Sequence, residues 1–450
     1  DVVLPRGNVL VLGGDQVYPT ASGRAYGNRW KGPYQAALPV VTPETPFLYA
    51  LPGNHDWYDG LTAFLRLFAQ GECIGGWCTR QQRSYFALAL PHRWWLFAID
   101  TQLDVYIDKP QLRYFQAAAA NLGPDDKVIL CAARPTWVIS QQLPEAYDSI
   151  DFFVRTIIEP TRAQVPLLLS GDAHHYARYA GTDGRGRQLV TCGGGGAYLV
   201  GTAHLPTQIE VPPPTTLMRS ASESRRYVLH GTFPTPERSW RLGWTIFGRL
   251  PWRNPGLLVL LGLMQTLLMF AMRTAHGRWI TAPIAVGVVA VFAGTLLFAI
   301  VLALQRSKVR HWIAAVLHAV PHVALGYAGA VAWSALPIGQ LPNPWSIVLA
   351  FIVYAPVVAL VDCWIVAAYL LLASRFQVNV NELYAGLGIE DCKSFLRLHI
   401  ARNGSLTIYP IAVERVPRKW RTHPNAPDDA PWIVPTEPLS VRLAEPPVSV

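Results

Sequence analysis

Leu51-Pro-Gly-Asn-His-Asp-Trp57 follows at once on Phe47-Leu-Tyr-Ala50. The first of these stretches is polar and turn-rich. The second is an apolar run with no alternation, as expected of a strand buried on both faces. Pro52 and Gly53 stop that strand, and an amide, an imidazole and a carboxylate come next in a row. Polar donors gathered just past the end of a buried strand are how α/β folds build ligand sites.

Two further segments share the design. Gly13-Gly-Asp15-Gln-Val-Tyr18 follows the apolar run 9–12, and Gly171-Asp-Ala-His174-His175-Tyr-Ala-Arg178 follows 167–170. Hard oxygens and imidazoles from three strand ends suit divalent cations. A carboxylate can bridge two ions while amide oxygens and imidazoles complete the shell. Two such ions, roughly 3.5–4 Å apart, can clamp a phosphate and activate a water. Runs at 85–88, 94–99, 128–131 and 189–191 read as further strands, with helices at 111–121 and 151–163. This order predicts an α/β layered domain over 1–235.

Together the segments resemble the calcineurin-like metallophosphoesterases. That signature runs Asp-x-His, Gly-Asp, Gly-Asn-His-Asp or Glu, a lone His, then Gly-His-x-His. Gly-Asp-x-x-Tyr at Asp15 and Tyr18, and the run 171–178, are similar to the purple acid phosphatase branch. Leu-Pro-Arg-Gly at 4–7, the run 53–60 and Gly-Gly-Gly-Gly-Ala at 193–197 resemble a bacterial membrane-attached group. The resemblance covers residues 1 to about 205. It implies a four-layer αββα sandwich and hydrolysis of a phosphoester by metal-activated water.

Residue by residue, the resemblance implies Asp15 as bridging ligand, Asn54 on a second metal and His174 on the first. Tyr18 and Asp172 are further candidate ligands. His55 would protonate the leaving oxygen, with Asp56 orienting it. The cofactor would be one or two divalent ions: Mn, Fe, Mg or Zn. Arg134, Arg178 and His175 are expected near the substrate phosphate. Arg24 and Arg29 are additional guanidinium candidates, because a guanidinium grips phosphate bidentately.

The chain also departs from the signature. The Asp-x-His segment would fall before residue 1, which reads as a truncated N-terminus. Cys131-Ala-Ala-Arg-Pro135 stands where the lone His is expected, and Asp172 replaces the first His of Gly-His-x-His. Asp172 reads equally as a turn cap and as a ligand. A single-metal site, an oxygen-rich site suiting Mn or Mg, and a non-catalytic membrane sensor or scaffold with a degenerate domain all stay open.

Of the 450 residues 51% are hydrophobic and only 15% charged, against about 25% charged in ordinary soluble domains. The excess lies in four apolar runs, 255–272, 279–304, 312–336 and 345–373, each long enough to cross a bilayer core of ~30 Å. Trp252, Trp279, Trp312 and Trp345 stand at their ends, as interfacial aromatics do. Arg238, Arg241, Arg249, Arg253, Arg306, Lys308, Arg310 and Arg375 flank one side, and Arg273 and Arg278 the other. That bias predicts a multi-pass cell-membrane protein with both its N-terminal domain and its C-terminus cytoplasmic. The net charge of +9 is explained by these flanks, so nucleic acid is not an expected partner. The expected partners are the bilayer and a phosphorylated substrate: a lipid-linked phosphate, a nucleotide or a phosphoprotein.

Residues 236–254 read as an interfacial linker. Residues 375–423 read as a small tail with a hairpin, 395–400 and 406–413, around Asn403-Gly404. Residues 424–450 are Pro-rich and predicted to be disordered. Cys73 and Cys78 can pair as a disulfide, and read as two free thiols if the domain faces the cytosol. Gly193–Gly196 lacks the Lys and Ser/Thr of a phosphate-binding loop and reads as a turn. His318 and His322 share a helix face within the third apolar run, and Asp362 lies in the fourth; mutual hydrogen bonding and transport are both open to them.

Overall fold

Short apolar runs form the strands, and the loops after them carry the polar segments. A computed structural model describes residues 6–42, 45–103, 106–184, 186–218, 221–275, 309–342, 344–425, 427 and 430–450, with 286, 288–290, 292–294, 296 and 297. The protein is a mixed α/β chain of several sheets and long apolar helices. It divides into two compact units, Asp1–Pro236 with Glu390–Val450, and Glu237–Ile389.

In the first unit, β1 (Val9–Leu12) and β2 (Phe47–Ala50) pair in parallel, and β3 (Cys73–Ile74) and β4 (Trp77–Thr79) complete a sheet of order β1-β2-β4-β3. Leu48, Phe64, Phe68, Tyr26 and Trp30 form its buried core. A second sheet follows, built from β5 (Phe86–Leu90), β6 (Trp94–Ile99), β7 (Lys127–Ala132), β8 (Gln164–Ser170), β9 (Tyr176–Gly181), β10 (Gln188–Cys192), β11 (Gln208–Val211) and β12 (Arg225–Phe233). Its order is β11-β12-β9-β10-β8-β7-β6-β5. The β6-β7-β8-β10 stretch is parallel throughout. Helix Lys109–Ala119, capped by Asp108 accepting from the Gln111 N–H, places Phe115 in this sheet's core.

Within 1–235 each run read as a strand is a strand; 9–12, 47–50 and 94–99 keep their bounds and the other four shift or lengthen. The helix expected over 151–163 runs without interruption over 148–161, as α (Asp148–Phe153), then π (Val154–Ile158), then 3-10 (Glu159–Thr161).

The C-terminal segment departs from expectation. The hairpin β13 (Lys393–Ile400) and β14 (Leu406–Val413) forms as predicted, but 375–423 is not one tail. Helix Val380–Leu387 falls in the second unit, and the hairpin falls in the first. There Ser394 N–H donates to the Gly194 carbonyl at 3.0 Å, and Trp94 Nε1 donates to that of Gly404 at 2.9 Å. Residues 424–450, predicted disordered, carry strands too. β15 (Trp420–Thr422) pairs with β16 (Ile433–Pro435), and β17 (Val441–Leu443) and β18 (Val448–Ser449) pair with β14. An open strand edge presents unpaired N–H and C=O groups, and these two short strands cover it despite the prolines around them.

Cys73 and Cys78 are disulfide-bonded, not free. They stand opposite each other in the β3–β4 hairpin, which brings their Cα atoms to 4.0 Å.

The stretch read as an interfacial linker forms helices Pro236–Trp244 and Ile246–Arg253. Three helical stretches are long and apolar enough to cross a membrane: Pro255–Arg273, Trp312–Ala335 and Trp345–Ser374. They pack on one another, burying Met269, Ala330, Trp333 and Ala350. The fourth expected span, 279–304, lies largely outside the described residues.

Candidate active site

Parallel strands end together at this site. Asp15 follows β1, Asn54 follows β2, Asp100 follows β6, Arg134 follows β7, and Asp172 and His174 follow β8. The loops touch through backbone. Gly171 N–H donates to the Ala133 carbonyl at 2.9 Å, and a Cβ on Gly171 would meet the Gly13 carbonyl oxygen at 2.9 Å. So the C-terminal ends of both sheets converge.

At the centre, the Tyr18 hydroxyl donates to Asp15 Oδ2 at 3.0 Å and lies 2.8 Å from His174 Nε2. Asp15 Oδ1 accepts the His55 N–H at 2.9 Å, and Asp15 has no ion pair among the described residues. Burial, then the nearby carboxylates of Asp15 and Asp172, push the Tyr18 phenol far above its ordinary range. Burial brings His174 down to about 4, against a smaller upward pull from Asp15, so its imidazole is neutral at neutral pH.

Asp15, Asp172 and His174 all hold left-handed backbone, with φ of 52°, 57° and 53°. Such residues cost about 1–3 kcal/mol each and gather where geometry matters for function. Gly53 lets the loops after β1 and β2 close on each other. A Cβ there would meet Asp15 Oδ1 at 2.2 Å and the Asp15 amide nitrogen at 2.7 Å. Gly53→Ala is therefore expected to displace the Asp15 carboxylate and destabilise the fold by about 1–3 kcal/mol. Thermal melting checks the stability, and metal titration the displacement.

The other expected site residues sort as follows. The His55 ring lies against Tyr18, with centroids 4.3 Å apart. Its Nδ1 is 2.6 Å from the Pro19 carbonyl oxygen, which fixes that nitrogen as the N–H. The hydrogen bonds of Asp56 go to groups other than the His55 ring. Asp56 is fully buried and accepts from the Tyr26 hydroxyl, the Gly53 N–H at 2.9 Å and the Gln16 N–H at 3.4 Å. As residue three of the turn Asn54–Trp57, it points back onto the loop's own donors. Burial raises its carboxyl to about 7, with Asp15 adding to the rise and these hydrogen bonds opposing it.

Asn54 donates to the Tyr58 hydroxyl at 2.9 Å. It shares a cleft with Trp57, Asp100, Thr101 and Arg134. Arg134 Nε lies 3.3 Å from Asp172 Oδ2, an ion pair.

Of four other candidate phosphate contacts, three are engaged elsewhere and one is exposed on a helix. Arg178 is nine-tenths buried and bound to Glu445 and Gln188. His175 is buried with Nδ1 3.2 Å from the Val200 carbonyl oxygen, and burial followed by the neighbouring His204 lowers it to about 3. It succeeds His174 in a chain leading into β9, so its ring turns the other way. Arg29 is exposed and bonds the Tyr18 carbonyl; Arg24 is exposed on the helix Gly23–Tyr26. Of Gly193–Gly196 the first two serve close packing: a Cβ on Gly193 would meet His174 N at 2.7 Å and one on Gly194 would meet Ser394 N at 2.9 Å, while Gly195 and Gly196 face open space.

Sequence reasoning passed over two residues. Asp100 accepts from Trp57 Nε1 at 3.0 Å, and burial raises its carboxyl. Its signal was an acid directly after the buried run 94–99. Tyr26, the partner of Asp56, left no signal beyond an aromatic in a short helix.

A divalent ion fits one position here. Asp15, Tyr18 and His174 present a carboxylate, a phenol and a neutral imidazole to one another, a set suited to Mn, Fe or Zn. A second position fits poorly, because Asp172 is engaged by Arg134 and no imidazole follows β7. Among the described residues, no group of three or more His, Cys, Asp or Glu is arranged to hold a metal; the set at Asp15 reaches three donors only with the phenol. No family model, no curated protein and no solved structure matches the chain.

Proposed function

We propose that the chain is a metal-dependent phosphoester hydrolase of the calcineurin-like metallophosphoesterase kind, held to a membrane. The meeting of Asp15, Tyr18 and His174 from loops of two sheets, with the His55 ring against Tyr18, carries this reading. The two sheets and the helices on them support a four-layer αββα arrangement.

Asp15, Tyr18 and His174 would hold the ion, which supplies Lewis acidity to a phosphoryl oxygen. His55, anchored through Nδ1 on Pro19, keeps Nε2 for the proton that the leaving oxygen needs. Arg134 offers its guanidinium to phosphate in the cleft beside Asn54, and Asp172 fixes its position. Asp56 gathers the donors of the 16–56 loops and keeps Asn54 and His55 in place. The substrate would be a lipid-linked phosphate, a nucleotide or a phosphoprotein within reach of the bilayer.

The apolar segment at 279–304 would make four spans, and the eight-to-two bias of flanking Arg and Lys favours a cytoplasmic first unit. The Cys73–Cys78 bond pulls the other way, since disulfides persist in oxidising compartments.

The Arg134–Asp172 pair favours one alternative, a non-catalytic sensor or scaffold in which a fixed cation has replaced an ion site. Purified full-length protein, its bound metal and its hydrolysis of bis- and mono-p-nitrophenyl phosphate separate the two. Bound metal with activity falling by about 10²–10⁴ in His55→Ala supports the enzyme. No metal and no difference between the proteins supports the scaffold.

A further inference from the structure

The long apolar helices bury a connected file of polar side chains. Asp362 has no solvent exposure. Its Oδ1 lies 2.6 Å from His322 Nδ1 and accepts Gln265 Nε2 at 2.9 Å. His322 Nε2 lies 3.3 Å from His318 Nδ1, one helical turn away. The His318 ring stacks on Tyr369, centroids 4.1 Å apart, and the Tyr369 hydroxyl donates to Asn379 Oδ1 at 2.8 Å. Asp362 and Tyr369 lie seven residues apart on one helix face, about 10 Å along the axis.

Packing does not require this file. Apolar residues of similar volume often hold such a position as well or better than a buried charged pair. A second observation points to a ligand: Asp362 Oδ2, Gln265 Oε1 and the Tyr354 hydroxyl are buried without a hydrogen-bond partner. Leaving such groups unmet costs about 1–3 kcal/mol each. One oxygen of Asp362 thus takes two hydrogen bonds and the other takes none.

We propose that His318, His322 and Asp362 form a proton relay through the second unit. The inference rests on the membrane reading above and is independent of the phosphoesterase site. The bonding pattern assigns the resting tautomers. His322 Nδ1–H donates to Asp362, which leaves His322 Nε2 to accept from His318 Nδ1–H. A proton binding at His318 Nε2 releases the Nδ1 proton to His322 Nε2, and His322 releases its own Nδ1 proton to Asp362 Oδ1. Three bonds to hydrogen form and two break, so one proton enters and one rests on the carboxyl. Asp362 then yields that proton to a water molecule, and tautomeric exchange of the two rings resets the relay. Among the described residues, the titratable groups facing it are Tyr369, Tyr354 and Cys363. Gln265 faces it from the Pro255–Ala275 helix and does not titrate, and Phe292 packs on the His322 ring at 6.4 Å.

The full chain, first tested for resistance to alkaline carbonate extraction, is reconstituted into phosphatidylcholine vesicles enclosing pyranine. A potassium gradient with valinomycin then drives protons. Wild-type vesicles are expected to change internal pH faster than protein-free ones, and Asp362→Asn and His318→Gln are expected to fall to the protein-free rate. His318→Gln keeps a hydrogen-bonding side chain, and its elution volume and melting temperature report its folding. An extraction-resistant wild type that moves protons no faster than empty vesicles overturns the relay alone. So does flux unchanged in a folded His318→Gln. Release by carbonate overturns the membrane reading and the relay together.

Discussion

Asp15→Asn is expected to cut divalent-metal affinity by more than the 10–100-fold typical of changes just outside a metal's ligand set, and to remove phosphoester hydrolysis with it. The substitution is nearly silent elsewhere. Asp15 has φ of 52°, and Asn is among the residues that tolerate left-handed backbone best. Its amide oxygen can still accept the His55 N–H that Asp15 Oδ1 now takes at 2.9 Å. What disappears is the negative charge facing Tyr18 and His174. The neutral phenol and imidazole are then left without the anion that makes the three a cation site. Manganese titration by calorimetry should show the loss of binding, p-nitrophenyl ester turnover the loss of activity, and the melting temperature a small change. A mutant that binds manganese as the wild type does would remove Asp15 from the centre, and with it the placement of the ion.

The readability of this site in the sequence had a physical limit. Asp15, Asn54, Arg134 and His174 were visible because buried strands are recognisable as apolar runs, and whatever follows them must lie at a sheet edge. The hairpin at Asn403-Gly404 was visible for the same kind of local reason. Side-chain direction was not visible. Asp56 looked like the partner of adjacent His55, yet the turn Asn54–Trp57 aims it back at Gly53 and Gln16. His175 looked as available as His174, but it is buried against Val200. Strands β9 and β12 escaped notice because buried Arg178 and the Arg225-Arg226 start of β12 interrupt the apolar pattern, and their polar groups are satisfied from far along the chain. Prolines hid β17 and β18, whose stability comes from the edge of β14 rather than from their own sequence.

Glu445→Ala is expected to destabilise the first unit by about 3–5 kcal/mol, the usual cost of removing one partner of a buried ion pair. The carboxylate meets Arg178 through two bonds, Nε to Oε1 and Nη2 to Oε2, each 2.7 Å, and also accepts from the Tyr176 hydroxyl. The side chains of Arg178 and Glu445 are only 11% and 12% exposed, so water cannot replace the lost partner. Gln188 alone, at 2.8 Å from Nη1, would remain to the guanidinium. A melting temperature lower by on the order of 10 °C follows for a unit of this size. Arg178→Met added to Glu445→Ala should recover much of the loss, because no unpaired charge then remains. The wild-type pair also has a pH signature. Burial alone would raise the Glu445 carboxyl, but the bonds from Arg178 and Tyr176 outweigh it and hold the group below its ordinary 4.5. The unfolded chain therefore takes up this proton first as pH falls. The stabilisation is complete above 4.5 and lost as pH drops through the lower folded value. Hydrolysis by Glu445→Ala, measured well below its melting temperature, should match the wild type if Arg178 holds the C-terminal strands and not a phosphate. A selective loss of substrate affinity in a folded Glu445→Ala would instead return Arg178 to the substrate.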